Sequence, residues 1–323
     1  MNRNKRRVVS CGEEDKISNL PEHLIDSILE PLPIEDALEL ENCLYKPPLE
    51  FNGFLNLEEL RLEEVDFGTS LCGNKINLPQ LKKLSLFTCK NVYNFNIKAR
   101  KLRQLTVIAC PDALLLGLMD SPCLTSVFIS SQNYTQDFVG VEKMNLATML
   151  SNLPRLEYFF TDSNFMMSLV AEKIPKLLPR AISSLKYLWL LRFQLGDLEQ
   201  LHAALCLLRN SLRNSPNLAK LTVTHSMEPR VDVGLALNHL ESPNCLDCTL
   251  DQLQTVEMTR LEGSKAELLF IKLLLAHSPS LDKLTITPSQ KTDAQKRFDI
   301  AKDVMWFPRA SPKAKILYLN LET

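Results

Sequence analysis

Glycine is scarce in this chain, nine in 323 residues. Neither a GxGxxG dinucleotide fingerprint nor a GxSxG nucleophile elbow occurs. Gly68, Gly73 and Lys75 approach a phosphate loop, but Asn74 stands where the lysine belongs and no Ser or Thr follows for magnesium, so the segment reads as a surface turn. Long apolar runs are missing: Ala113 to Leu116 and Leu273 to Ala276 fall far short of the 18 or so residues of a membrane span. Neither sign of charge dominates, with 37 Lys plus Arg against 38 Asp plus Glu. That balance offers no global attraction to nucleic acid or membrane, so any partner must be recognised locally. The start, Met1 to Asp15, is polar and lacks the apolar stretch of a signal peptide. We therefore expect an intracellular protein, cytoplasmic or nuclear; the cluster Arg3, Lys5, Arg6 and Arg7 reads equally as an import signal or as a basic tail.

Histidine is sparse too. His23, His202, His225, His239 and His277 are scattered along the chain and suggest no general base. Nine cysteines in such a context argue for free thiols. Cys245 and Cys248 form a CxxC, yet no second pair and no zinc-finger histidines follow, so we expect no metal and no cofactor. Nothing in the composition or the motifs points to catalysis.

What the chain has in abundance is leucine at a fixed spacing. LxxLxL recurs at Leu57, Leu60, Leu62; Leu81, Leu84, Leu86; Leu102, Leu105, Val107; Leu185, Leu188, Leu190; Leu218, Leu221, Val223; and Leu281, Leu284, Ile286. The last two apolar positions alternate as on a short strand, and the first turns the chain inward just before it. Leu57, Leu81, Leu102 and Leu124 follow one another by 24, 21 and 22 residues, inside the range of leucine-rich repeats. Later units stretch to between 28 and 35 residues and leave room for longer helices, as the helical spacing of Leu195 to Leu212 and Glu267 to Ala276 suggests. Near Leu153, Leu156, Tyr158 and Phe159 two registers are possible, and that unit stays unassigned. Pro79, Pro122, Pro154, Pro216 and Pro279 precede strands and should end the helix or loop before them. Cys89 and Cys110 occupy the Asn/Cys position that closes a repeat and should be buried. One unit buries a single edge and cannot stand alone, so the expected fold is an α/β leucine-rich repeat solenoid, right-handed, with parallel strands on its concave face.

Residues 15–37 read DKISNLPEHLIDSILEPLPIEDA. Pro21 and Glu22 suit a helix first turn, Leu24, Ile25, Ile28 and Leu29 share one face, and Pro31 and Pro33 stop the helix. An amphipathic cap and a docking helix fit equally. The segment resembles the opening of a plant F-box, and CLDCTLDQLQTVEMTRLEGSKAELLFIKLLLAHSPSLDKLTI resembles an FBD segment. Together with the repeats they are similar to the plant F-box/FBD/LRR-repeat family. The resemblance implies a non-catalytic receptor of a Skp-cullin-F-box ubiquitin ligase, whose F-box grips a Skp-type adaptor while the repeats hold a target protein. It assigns Ile17, Leu20, Pro21, Leu24, Ile28, Leu32 and Pro33 to the adaptor contact, and Cys245, Leu253, Val256, Met258, Gly263, Leu268 and Leu281 to the FBD pattern. The chain departs from the family after Ala37, where LELENCLYKPPLEFNGF replaces a basic, tryptophan-bearing second helix. A partial F-box leaves less apolar area for the adaptor, so a ligase-independent protein-binding repeat module, or an inactive truncated variant, stands as the alternative.

The expected organisation is a disordered basic tail at 1–14, a partial F-box at 15–37, repeats at 50–240, an FBD segment continuing them at 241–290 and a C-terminal cap at 291–323. Outward strand positions supply the candidate target-binding residues: Phe87, Phe128, Tyr187, Trp189, Lys220 and Glu257, with Glu59, Arg61, Lys83 and Lys283 beside them. Exposed aromatics among charges are what a protein-binding face requires.

Overall fold

The computed structural model describes residues 7–10 and 37–41 as backbone, and residues 54–67, 76–92, 97–110, 121–131, 149–150, 152–169, 184–210, 217–226, 234–243 and 245–319. The chain divides into two compact units, Met1–Met144 and Asn145–Thr323. Both are built on parallel strands in which each repeat pairs with the next.

In the first unit the main sheet comprises β1 (Arg7–Ser10), β2 (Ala37–Glu41), β3 (Glu59–Glu63), β5 (Lys83–Phe87), β7 (Gln104–Ile108) and β8 (Ser126–Ser130), all parallel and in that order. Two short strands, β4 (Ile76–Asn77) and β6 (Ile97–Lys98), pair separately. The register joins Leu60, Leu84, Leu105 and Val127 in one row and Leu62, Leu86, Val107 and Ile129 in the next. Every one of these side chains is buried. A one-residue slip would turn all of them out, so the leucine pattern dictates the register. The ladder already includes β2, ahead of residue 50 where the leucine pattern begins.

In the second unit strands and helices alternate: β9 (Tyr158–Asp162), α1 (Ser163–Leu169), β10 (Tyr187–Phe193), α2 (Leu198–Asn210), β11 (Lys220–His225), α3 (Gly234–Glu241), β12 (Thr255–Leu261), α4 (Lys265–His277), β13 (Lys283–Pro288), α5 (Ala294–Trp306) and β14 (Lys315–Tyr318). The six strands pair in parallel in sequence order. The long spacings hold the helices, and α2 and α4 lie where helical periodicity was expected. The core sits between sheet and helices, with Phe159, Leu188, Leu190, Leu221, Val256 and Ile286 from the strands and Leu201, Leu205, Phe270 and Leu274 from the helices all buried.

Four of the described repeats enter their strands through the same proline-bearing turn. The backbone N–H of Leu81 donates to Leu78, Leu124 to Ser121, Leu156 to Leu153 and Leu281 to Ser278, at 3.1 to 3.3 Å. Pro79, Pro122, Pro154 and Pro279 occupy the second position of these turns, where a fixed φ favours the bend. Their role is therefore to deliver the leading leucine inward, beyond merely ending the preceding segment.

Repeats of the first unit leave their strands through left-handed residues that are not glycine: Glu64, Thr88 and Ala109, with φ of 54°, 51° and 57°. Such backbone costs about 1 to 3 kcal/mol at each position. It persists because each N–H donates across to the next strand, Glu64 to Phe87, Thr88 to Ile108 and Ala109 to Ser130, at 2.8 to 2.9 Å. The turn points Cys89 and Cys110 inward, both fully buried as their spacing implies. The Cys89 thiol donates to the carbonyls of Leu62 and Phe87 at 3.5 and 3.4 Å.

Candidate functional site

On β9 to β14 the outward positions form rows that follow directly from the register. Tyr158, Tyr187, Lys220, Thr255, Lys283 and Lys315 make one row. Phe160, Trp189, Thr222, Glu257, Thr285 and Leu317 make the next. The inward positions beside these rows are leucine, isoleucine, valine or methionine on β10 to β13 and Phe159 and Thr161 on β9, all buried, so the rows stay on the sheet face while the core holds each strand in place.

Four of the expected binding residues meet here. Phe160 stacks edge-on against both Tyr187 and Trp189, with ring centroids 5.1 and 5.9 Å apart. The Trp189 indole N–H donates to Thr224 Oγ1 at 3.1 Å, and Thr224 Oγ1 also accepts from Thr259 at 3.0 Å. Tyr187 and Thr222 share a hydroxyl hydrogen bond at 3.1 Å, and Thr222 Oγ1 donates to Glu257 at 3.2 Å. Lys220 Nζ lies 2.9 Å from Glu257 and 4.9 Å from the Tyr187 ring centroid. Burial alone would lower the Lys220 pKa, but the hydrogen bond to Glu257, with the attraction of Tyr187 and Glu257, outweighs it and the ammonium titrates above its ordinary value.

The consequence is a pre-set platform. The polar atoms of Tyr187, Trp189 and Glu257 are already engaged with neighbours, which holds the aromatic faces in position at low entropic cost to a partner. Tyr158, 40% exposed, borders this cluster. Tyr158 and Phe160 were missed in the sequence because their repeat has Phe159 and Thr161 in place of two leucines. The pairing Phe159↔Leu188 and Thr161↔Leu190 settles that the unit begins at Leu156.

In the first unit the corresponding face is more saline. Phe87 is half-buried beneath the Arg61 guanidinium, 4.0 Å from its ring centroid, and Arg61 also bonds Glu63 at 2.7 Å. Lys83 and Glu59 lie 3.8 Å apart. Phe128 is half-buried on β8, opposite Thr106. Phe87 and Phe128 belong to the first unit, Tyr187 and Trp189 to the second. Ile17, Leu20, Pro21, Leu24, Ile28, Leu32 and Pro33 lie outside the described residues.

Two contacts of buried carboxylates also had no local signal. Asp162, fully buried, pairs with Arg192 and accepts the Phe165 N–H at 2.8 Å, so one carboxylate both neutralises a cation and caps α1. Arg192 is held at φ 54° in the irregular end of β10. His225 faces the buried Glu267 from β11. Histidines thought to be scattered also meet: His202 and His239 stack edge-on at 4.6 Å, and burial, with the Arg209 charge, lowers the His202 pKa.

The CxxC has the opposite electrostatics of a reactive thiol pair. Burial raises the Cys245 pKa and pushes Cys248 up to about 11, with Asp247 and Asp251 adding to it. Neither favours the thiolate that metal binding or exchange requires. Among the described residues no group of three or more His, Cys, Asp or Glu converges, and no helix is long and apolar enough to cross a membrane.

The FBD family matches residues 243–286, the stretch that supplies β12, α4 and most of β13, and hence Glu257 and Lys283 of the face. Cys245, Leu253, Val256, Met258 and Leu281 of its pattern are buried, Leu268 is half-buried, and Gly263 turns β12 into α4. An F-box/FBD/LRR-repeat protein of Arabidopsis thaliana is 28% identical over 287 residues, which cover 88% of this chain and 67% of that protein. An FBD-associated F-box protein of the same plant is 26% identical over 252 residues, covering 72% of this chain and 57% of its own length. A probable FBD-associated F-box protein is 29% identical over 124 residues, covering 38% and 28%. The matches thus span about two thirds or less of these relatives' lengths. The chain thus carries an FBD segment built into the same run of strands as its aromatic face, and over most of its length it is similar to plant F-box/FBD proteins.

Proposed function

We propose that the chain is a non-catalytic recognition subunit that presents a target protein to a Skp-cullin-F-box ubiquitin ligase, without a cofactor and without a nucleic-acid or membrane partner. The fold this requires is a leucine-rich solenoid whose strand face binds the target. The observation that carries the reading is the pre-set platform of Phe160, Tyr187 and Trp189 with Lys220 and Glu257, since aromatic anchors fixed beside charged residues are the usual core of a protein-binding face. In the F-box resemblance Ile17, Leu20, Pro21, Leu24, Ile28, Leu32 and Pro33 hold the Skp-type adaptor.

A second reading has its own support. Ala37–Glu41, which starts at the last residue of the F-box resemblance, is a strand paired with β3 and not part of a second F-box helix. That favours a repeat module that binds its target independently of a ligase. Co-precipitation of a Skp-type adaptor with the full chain, beside Leu20→Asp/Leu24→Asp, separates the two. Retention that the double substitution abolishes supports the ligase receptor. No retention by the folded parent leaves the target-binding module.

A further inference from the structure

We infer that the face of β10 to β14 takes an acidic, extended segment of a partner protein, anchored by an apolar side chain on the aromatic platform. This deepens the target-binding reading and rests on it. The row Tyr158, Tyr187, Lys220, Thr255, Lys283 and Lys315 changes from aromatic to cationic along its length. The face carries one carboxylate, Glu257, and Lys220 takes it at 2.9 Å. The anions just outside the row are taken as well: Glu157 pairs with Lys186 and Asp282 with Lys313, both at 2.8 Å. Lys283 and Lys315 are exposed and have no anionic partner among the described residues.

They are also directly opposite one another on paired strands. Like charges in that position destabilise the sheet, so the free protein carries a local repulsion that a bound carboxylate relieves. Such an arrangement works against folding and in favour of an anionic ligand. The spacing sets the ligand's form. Strands about 4.8 Å apart put β13 roughly 14 Å and β14 roughly 19 Å from the Trp189 strand, and an extended chain rises about 3.4 Å per residue. The partner segment therefore places carboxylates about four and about six residues from its apolar anchor.

The test uses the full chain and fluorescein-labelled peptides with one phenylalanine and glutamates about four and six residues away, made in both chain directions, each with a glutamine twin. Binding is read by anisotropy against the parent, Lys283→Gln/Lys315→Gln, Lys283→Glu/Lys315→Glu and Trp189→Ala, with a single-stranded oligonucleotide as a separate probe. We expect the glutamate peptide to bind at least about fivefold more tightly than its glutamine twin. The Lys283→Gln/Lys315→Gln form should lose that preference while melting no lower than the parent, a combination that a purely structural role for these lysines does not produce. Equal binding of both peptides, lost in Trp189→Ala, overturns the acidic preference and leaves the target-binding face standing. Binding indifferent to Trp189→Ala, or no binding of any peptide, overturns the face itself. Tighter binding of the oligonucleotide, lost on charge reversal, replaces the proposal with a nucleic-acid surface.

Discussion

His225 Nδ1 lies 3.2 Å from a carboxylate oxygen of Glu267, with the two side chains 6% and 0% exposed. The contact is a close approach and not an aligned hydrogen bond, since His225 Nδ1 meets no partner at hydrogen-bond geometry. The same carboxylate accepts the N–H groups of Ser264 at 2.6 Å and Glu262 at 3.3 Å, closing the capping box of α4. Glu267 thereby ties β11 to the start of α4, both in the second unit.

Replacing Glu267 by alanine should cost about 3 kcal/mol, because it strips two backbone donors and leaves a buried imidazole facing no anion. The Ser264→Ala control, which loses the cap hydroxyl alone, should cost about 1 kcal/mol. Urea or thermal unfolding of both variants checks the order. A Glu267→Ala loss no larger than that of Ser264→Ala would show that the His225 contact contributes nothing.

Gly263 has φ +70°, and a Cβ there would lie 2.5 Å from Ile300 Cγ1. Gly263→Ala should lose about 2 to 3 kcal/mol, from left-handed backbone strain together with overlap against a buried side chain. Ile300→Ala opens the space, so the double variant should be less destabilised than the sum of the two by about 1 kcal/mol. Strict additivity in a double-mutant cycle would show that Ile300 does not press on this turn.

Thr285 is 7% exposed and its hydroxyl has no hydrogen-bond partner among the described residues. An unmatched buried hydroxyl opposes folding, whereas a methyl of the same shape does not. Thr285→Val should raise stability by about 1 kcal/mol. A lowered melting midpoint would mean that the hydroxyl is satisfied after all, by a bound water.

The Cys248 thiol, pushed up to about 11 chiefly by burial, is less acidic than its ordinary 9.0. At pH 8 it should hold roughly a hundredfold less thiolate than an ordinary cysteine and alkylate correspondingly slowly, the rate climbing about tenfold per pH unit until pH nears the thiol's own pKa. The native state binds this proton more tightly than the unfolded chain. The thiol's contribution to stability is therefore complete below pH 9 and is lost as pH rises to about 11. Peptide mapping after iodoacetamide pulses reads the rate, and fast labelling of Cys248 at pH 8 would contradict the assignment.

Much of the architecture is visible in the sequence because it is local and periodic. The LxxLxL positions name the buried rows, since alternation on a short strand needs only neighbouring residues to define it. The prolines mark the entry turns for the same reason, although that they are turn residues delivering the next leucine emerges only from the hydrogen bonds of Leu81, Leu124, Leu156 and Leu281. The FBD segment is legible as a motif, and Tyr187, Trp189, Lys220 and Glu257 could be named as outward residues by counting from the leucines.

What counting could not do is say which outward residues touch. Repeats in the second unit differ in length, so Phe160, Trp189 and Thr224 meet only once the register between their strands is set. Asp162 with Arg192, His225 with Glu267 and the facing lysines 283 and 315 each join residues about one repeat or more apart, where no local pattern reaches. Sequence by itself determined the repeat, its inward face and its FBD segment. Tertiary structure decided the platform, the contacts of buried carboxylates and the cationic end of the face, because those depend on cross-strand distance, which only the packing of neighbouring repeats establishes.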